Sequence, residues 1–220
     1  MIGNKCRKTI LKTAGISILV ALFYTGCDDN GVKVVTPEVT TFEDKRDGKI
    51  YKKVQIGSQI WMAENLNYVA DGSKCGESWN RTPAQNCEDY GRLYDWYTGM
   101  DGVESSHANP SGVEGVCPVG WHIPSDAEWT ELIGYVGVNA GTKLKSREFK
   151  GNREHQTPDG TDKYRFSALM GPYSSHWWSA TERDSDEELA WIRSLNYIET
   201  NVNRVSYEKH RFLSVRCVHD

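Results

Sequence analysis

Two adjacent tryptophans, Trp177 and Trp178, are the side chains in this sequence best suited to hold a ligand by contact. Neighbouring residues of a strand point to opposite faces. One indole is therefore expected in the core, while the other is the candidate ligand-stacking surface, able to lie flat on a sugar ring. The competing reading is that both serve the core or its edge. Five acidic residues, Glu182, Asp184, Asp186, Glu187 and Glu188, offer oxygen ligands of the kind calcium takes. Counted from Asp184, the sixth and twelfth places hold Leu189 and Leu195, where an EF-hand loop needs glycine and glutamate. The run is better read as a solvated hairpin loop. The six histidines, at 107, 122, 155, 176, 210 and 219, include no pair at metal-ligand spacing on a helix. No Gly-x-Ser-x-Gly nucleophile segment occurs. No catalytic residue, cofactor or metal ligand is assigned. Carboxylates brought together by the fold, as in a glycoside hydrolase, remain the route by which this chain would be an enzyme.

The six cysteines divide by position. Lys5, Arg7, Lys8 and Lys12 form a basic start, an apolar run follows from Ala14 to Tyr24, and Thr25-Gly26 leads into Cys27. Eleven apolar residues are too few to cross a hydrocarbon core, which takes about 20. The pattern is that of a secretory signal, and its end resembles a bacterial lipobox, in which the cysteine is acylated and becomes the mature N-terminus. Cys27 is thus expected to carry lipid, and Cys6 is lost with residues 1–26. Cys75, Cys87, Cys117 and Cys217 remain, an even number in an oxidising compartment. Four cysteines allow three pairings, and spacing does not choose among them. The expected set is Cys75–Cys87 as a local staple and Cys117–Cys217 as a long-range one. No two of the four lie within four residues of each other, as structural zinc sites usually require. The whole chain has 26 basic and 30 acidic residues, so losing four basic ones leaves 22 against 30, a formal charge of −8. That balance argues against a nucleic-acid partner.

The elements that must position these residues follow from pattern. Residues 27–41 are polar and read as a tether. Ile50, Val54 and Ile56 share one side of a strand, Gly57-Ser58 is a two-residue turn, and Ile60-Trp61-Met62 begins the return. Residues 70–87 look like loop, followed by a short helix with Leu93, Trp96 and Tyr97 on one face. A helix over 125–136 is signalled by Ser125 as N-cap, Glu128 completing a capping box, and Trp129, Leu132, Ile133 and Val136 at helical spacing. A polar stretch from Asn139 to Lys163 includes the turn Thr157-Pro158-Asp159-Gly160. An antiparallel meander is expected over 177–181, 189–195, 198–205 and 211–218. In its last strand Leu213, Val215 and Cys217 face the core, and Ser214 and Arg216 face away.

Blocks of these residues resemble a known family. Tyr51-x-x-Val54-x-Ile56-Gly57-x-Gln59-x-Trp61-Met62-x-Glu64-Asn65-Leu66 is similar to the opening of the Fibrobacter succinogenes major paralogous domain. The likeness continues through Tyr90-Gly91-Arg92-Leu93-Tyr94, Cys117-Pro118-x-Gly120-Trp121-His122-Ile123-Pro124 and Gly141-Thr142-Lys143-Leu144-Lys145. It ends with Phe166-Ser167-Ala168-Leu169, Trp177-Trp178-Ser179-Ala180-Thr181-Glu182 and Ser214-Val215-Arg216-Cys217-Val218. These blocks span about residues 42–220. The family consists largely of secreted proteins and lipoproteins without an established general activity. A weaker resemblance is to the C-type-lectin-like fold, which implies the Cys117–Cys217 pairing. It does not bring a calcium-dependent sugar site, because Thr157-Pro158-Asp159 is a partial echo of one motif and the Trp-Asn-Asp strand is absent. Formylglycine-generating enzymes share that broader fold and a similar Arg-Cys-Val end, but their closely spaced reactive cysteines have no counterpart here.

The expectation is an α+β, C-type-lectin-like domain over 42–220, a small twisted antiparallel sheet with one or two helices, long loops and disulfide staples. It would hang from a membrane, the outer membrane or cell surface, by lipid on Cys27 and act as a non-enzymatic module binding polysaccharide or a surface protein, the alternatives being a carbohydrate-active hydrolase and a structural envelope component.

Overall fold

The computed structural model describes residues 24–27, 33–77, 81–148, 159–169 and 174–219. The signal segment through Phe23 and the Thr157-Pro158 half of the expected turn lie outside them. Among the described residues, no helix is long and apolar enough to cross a membrane. Strands β1 (Tyr24–Cys27) and β2 (Lys33–Thr36) pair antiparallel. The expected tether therefore contains strand, and its last residues belong to the domain: β3 (Val39–Glu43) pairs along β4 (Ile50–Ile56). Reading Val39-Thr40-Thr41 as merely polar overlooked the β-branched residues that suit a pleated edge.

The hairpin forms where expected, with β4 returning through Gly57-Ser58 into β5 (Gln59–Met62). Val54 and Ile56 are buried, whereas Ile50 at the far end of the same face stands in solvent. The first helix lies earlier than predicted. Thr82 and Gln85 make a capping box for α1 (Pro83–Tyr90), with proline in the first turn where its missing N–H costs nothing. Leu93–Tyr94 is strand β6, and α2 spans Trp96–Met100, capped by Asp95. Trp121–His122 forms β7, and α3 (Asp126–Val136) carries the predicted Ser125–Glu128 capping box. A short α4 (Ala140–Leu144), not predicted, lies within the polar stretch that begins at Asn139.

Strands β8 (Ser174–Arg183), β9 (Asp186–Asn196) and β10 (Asn203–Glu208) form the predicted meander, although β10 starts five residues later than expected. The last predicted strand is two short ones. β11 (Leu213–Ser214) lies parallel to β8 and antiparallel to β6, and β12 (Val218–His219) lies between β5 and β7. Among the described residues the fold is α+β with four helices, the two-stranded β1-β2 pair and two five-stranded sheets, β10-β9-β8-β11-β6 and β3-β4-β5-β12-β7, where one small sheet was expected.

The C-terminal segment is the hinge between the sheets, and the cores lie around it. One cluster gathers Tyr51, Met62, Trp96, Trp121, Trp178, Ile192 and Val215. The other gathers Val54, Trp61, Trp129, Leu132, Phe166, Trp177 and Leu195. Both expected disulfides are present: Cys75–Cys87 closes a separation of 12 residues and Cys117–Cys217 one of 100.

Candidate functional site

The tryptophan pair does not form a stacking surface. Trp177 and Trp178 are each only 1% exposed, because β8 is an inner strand covered on both faces. Trp177 enters the cluster with Trp129 and Phe166, and Trp178 the opposite one. Their indole N–H groups are consumed inside, Trp177 Nε1 donating to Asn65 Oδ1 at 2.8 Å and Trp178 Nε1 to the Tyr94 carbonyl at 2.8 Å. Alternation holds along the strand and both indoles serve the core, as one of the two readings had it; the alternative, an indole left in solvent to stack on a ligand, fails because both faces of β8 are covered.

Asn65 ties this region to the C-terminal motif. Its Oδ1 also accepts from Arg216 Nε at 3.0 Å and Nη2 at 2.7 Å, while Arg216 Nη1 donates to the Phe166 carbonyl at 2.5 Å. The Asn65 amide donates to the Tyr90 carbonyl at 2.8 Å. Arg216 was expected to point away from the core. It is buried instead, its guanidinium 4.3 Å from the Phe166 ring centre and 5.3 Å from that of Trp177. Burial pushes its pKa down to about 9. Gly91, with φ of 79°, lets the end of α1 approach: a Cβ there would sit 2.8 Å from Asn65 Cβ.

The other candidates have structural partners. His122 Nε2 and Glu128 Oε1 are 2.6 Å apart with side chains 2% and 3% exposed. The second Glu128 oxygen accepts the backbone N–H groups of Ser125 at 2.9 Å and Ser111 at 3.0 Å. This carboxylate thus fastens the start of α3 to the loop before β7 and has no route to a substrate. Asp44 is held by Arg46 at 2.8 Å, and Asp162 accepts from Ser167 at 2.8 and 2.9 Å. The acidic run is the tight β8–β9 turn, exposed from Asp184 to Glu188, with Glu182 bonded to Lys209.

An accessible surface of suitable chemistry lies on the same sheet, farther along. Cross-strand partners share a face, so His176, Ser194 and Asn203 line up across β8, β9 and β10, with Val205 and Tyr207 beyond. Toward the middle of the sheet this face is closed by Trp178, Ala190 and Ile192. Toward the β9–β10 turn it opens into a recess of about 430 Å³, where Tyr197 and Ile198 join the lining at 38% and 41% exposure. The His176 and Tyr207 rings lie 5.3 Å apart, centre to centre. Burial holds the His176 pKa below its ordinary value, favouring the neutral ring. Asn203 donates to Glu199, beside the recess. His176 also lines a second cavity of about 260 Å³, with Asn65, Tyr90, Ser175, Phe212 and Ser214 among its walls.

A recess of about 440 Å³ at β3, β4 and α3 presents Tyr135 and Tyr164, whose rings meet edge to face at 5.9 Å, with Glu38 and Lys53 beside them. Among the described residues, no three His, Cys, Asp or Glu side chains are gathered for a metal. The shelf residues His176, Tyr197, Asn203 and Tyr207 escaped sequence reasoning. Their signal, the alternation Asn203-Val205-Tyr207, was present, but the strand had been placed over 198–205.

The family model described as the Fibrobacter succinogenes major domain matches residues 54–219. No curated protein and no solved structure matches the chain, so the C-type-lectin-like outline gains no support from that side.

Proposed function

The chain belongs to the Fibrobacter succinogenes major domain family, and on that premise we propose that it is an exported, lipid-anchored protein whose domain binds an extracellular ligand without transforming it. Export and anchoring are supported by the basic start, the short apolar run and Thr25-Gly26-Cys27. Two disulfides in the domain suit an oxidising compartment. The anchor site is Cys27, and the membrane is the outer membrane or cell surface.

The observation that carries the binding reading is the open end of the β8–β9–β10 face, where rings and amides of the strands and of the β9–β10 turn meet solvent. Rigid strands hold such groups at fixed spacing, which lowers the ordering cost of binding. The ligand is a polysaccharide or a surface protein. A hydrolase is the second reading, and it is weakened by the structural bonds that engage the buried carboxylates Asp44, Glu128 and Asp162.

Metabolic labelling with a tagged fatty acid tests the anchor: the full chain should take up label and Cys27→Ser should not. Equal labelling of both overturns the assignment. For the domain, cells displaying the full chain are tested for adhesion to immobilised polysaccharides and proteins. Adhesion that drops with Tyr197→Ala supports the reading. Release of shortened polymer during the assay would replace it with the hydrolase.

A further inference from the structure

We infer that the ligand of this shelf is a neutral polysaccharide, one pyranose ring of which enters the cavity behind His176. The inference rests on the binding-module reading just given and adds the chemistry of the ligand.

Among the described residues, the lining of the shelf contains no charged side chain. It consists of Ser194, Asn196, Asn203, Tyr197, Tyr207 and His176, with Ile198 and Val205. The nearby carboxylate, Glu199, is engaged by the Asn203 amide. Burial favours the uncharged form of His176. An anionic polymer would have to leave water for a surface with no cation to receive it, and a charge desolvated without a partner is strongly disfavoured. The acidic balance of the chain after Cys27 opposes such a polymer at longer range. Hydroxyl-rich neutral rings fit instead. Serine and asparagine side chains donate to and accept from hydroxyls, and tyrosine faces cover the apolar face of a pyranose.

The second half of the inference comes from His176, which lines both the shelf and the 260 Å³ cavity. A chain lying along the shelf can therefore turn an end or a branch past His176. The cavity has room for one ring, and its walls combine the aromatic groups Tyr90 and Phe212 with Asn65, Ser175, Ser214 and the carboxylate-bearing Glu77, which disfavours an anionic ring there. Gly76 stands at its wall, where an added Cβ would meet Leu93 Cδ1 at 3.6 Å, an ordinary contact. A side chain can thus start from position 76 without a Cβ clash, at the wall of the cavity it is meant to obstruct.

The test is affinity electrophoresis of the full chain in mild detergent through gels containing neutral polysaccharides (a glucan, a mannan, a xylan) or acidic ones (a pectate, an alginate). The expected result is retardation by a neutral polymer and not by the acidic ones. Tyr197→Ala, an exposed position, should weaken it tenfold or more, and Gly76→Phe severalfold. Circular dichroism of each variant, unchanged from the parent, ties these losses to the site. Binding of a neutral polymer unaffected by Gly76→Phe overturns the role of the cavity. Retardation by an acidic polymer, or adhesion only to protein, that is lost with Tyr197→Ala overturns the neutral ligand and leaves the binding module standing. Failure of Tyr197→Ala to affect any binding overturns both.

Discussion

Strand β8 passes from an open surface to a closed core within three residues. His176 borders solvent at the shelf, whereas Trp177 and Trp178 are sealed in opposite clusters. Across the sheet the same contrast appears on one continuous face: Ser194 and Asn203 at one end, Ala190 and Ile192 at the other. Strand geometry is common to both ends. What differs is whether another element lies over them. At the closed end Trp178, Ala190 and Ile192 pack in one cluster with Trp96 and Met100 of α2 and with Tyr51 and Met62 of the β4–β5 hairpin, whereas the open end borders a recess. Large aromatic side chains are thus a poor guide to a binding face here, because the two largest serve the core.

Substitutions can break this contrast. Trp177→Ala and Trp178→Ala should each lower unfolding free energy by about 3–5 kcal/mol, measured by urea denaturation. Tyr197→Ala at the open end should change it by no more than about 0.5 kcal/mol. Comparable losses at the two ends would mean that the shelf is core, and would remove it as a ligand surface.

Asn65→Ala tests how the closed end is held. It removes the acceptor shared by Trp177 Nε1 and two Arg216 nitrogens, leaving a buried guanidinium short of partners. A loss of about 3 kcal/mol is expected, and one below about 1 kcal/mol would show that the Phe166 carbonyl and the rings suffice.

The smallest effect is a pH dependence at the boundary. Burial lowers the His176 pKa below 6.5, so the unfolded chain takes up this proton at higher pH than the folded one. The corresponding stability is present above pH 6.5 and lost as pH falls through that value toward the folded pKa. His176→Gln should flatten this part of the stability curve between neutrality and mild acid. A curve of unchanged shape would place the ring in water in both states.

Much of the fold was legible because its signals are local. The 125–136 helix, the Gly57-Ser58 hairpin and the β8–β9–β10 order follow from caps, turns and periodicity, each written within a few neighbouring residues. The helix at Pro83 was equally local in its Thr82–Gln85 box, and a loop-like composition masked it. The split of residues 211–218 into two strands could not be read, because alternation continues across the break and only the partner strands, β8 and β6 against β5 and β7, divide it.

By itself the sequence determined the family and the local elements. These depend on residue types and short spacings. Tertiary structure alone decided that Arg216 is buried against Asn65, that both tryptophans are sealed, and that the accessible face is the tyrosine and amide shelf beside His176. Burial belongs to what packs on a residue, and for each of these the covering element lies far away along the chain.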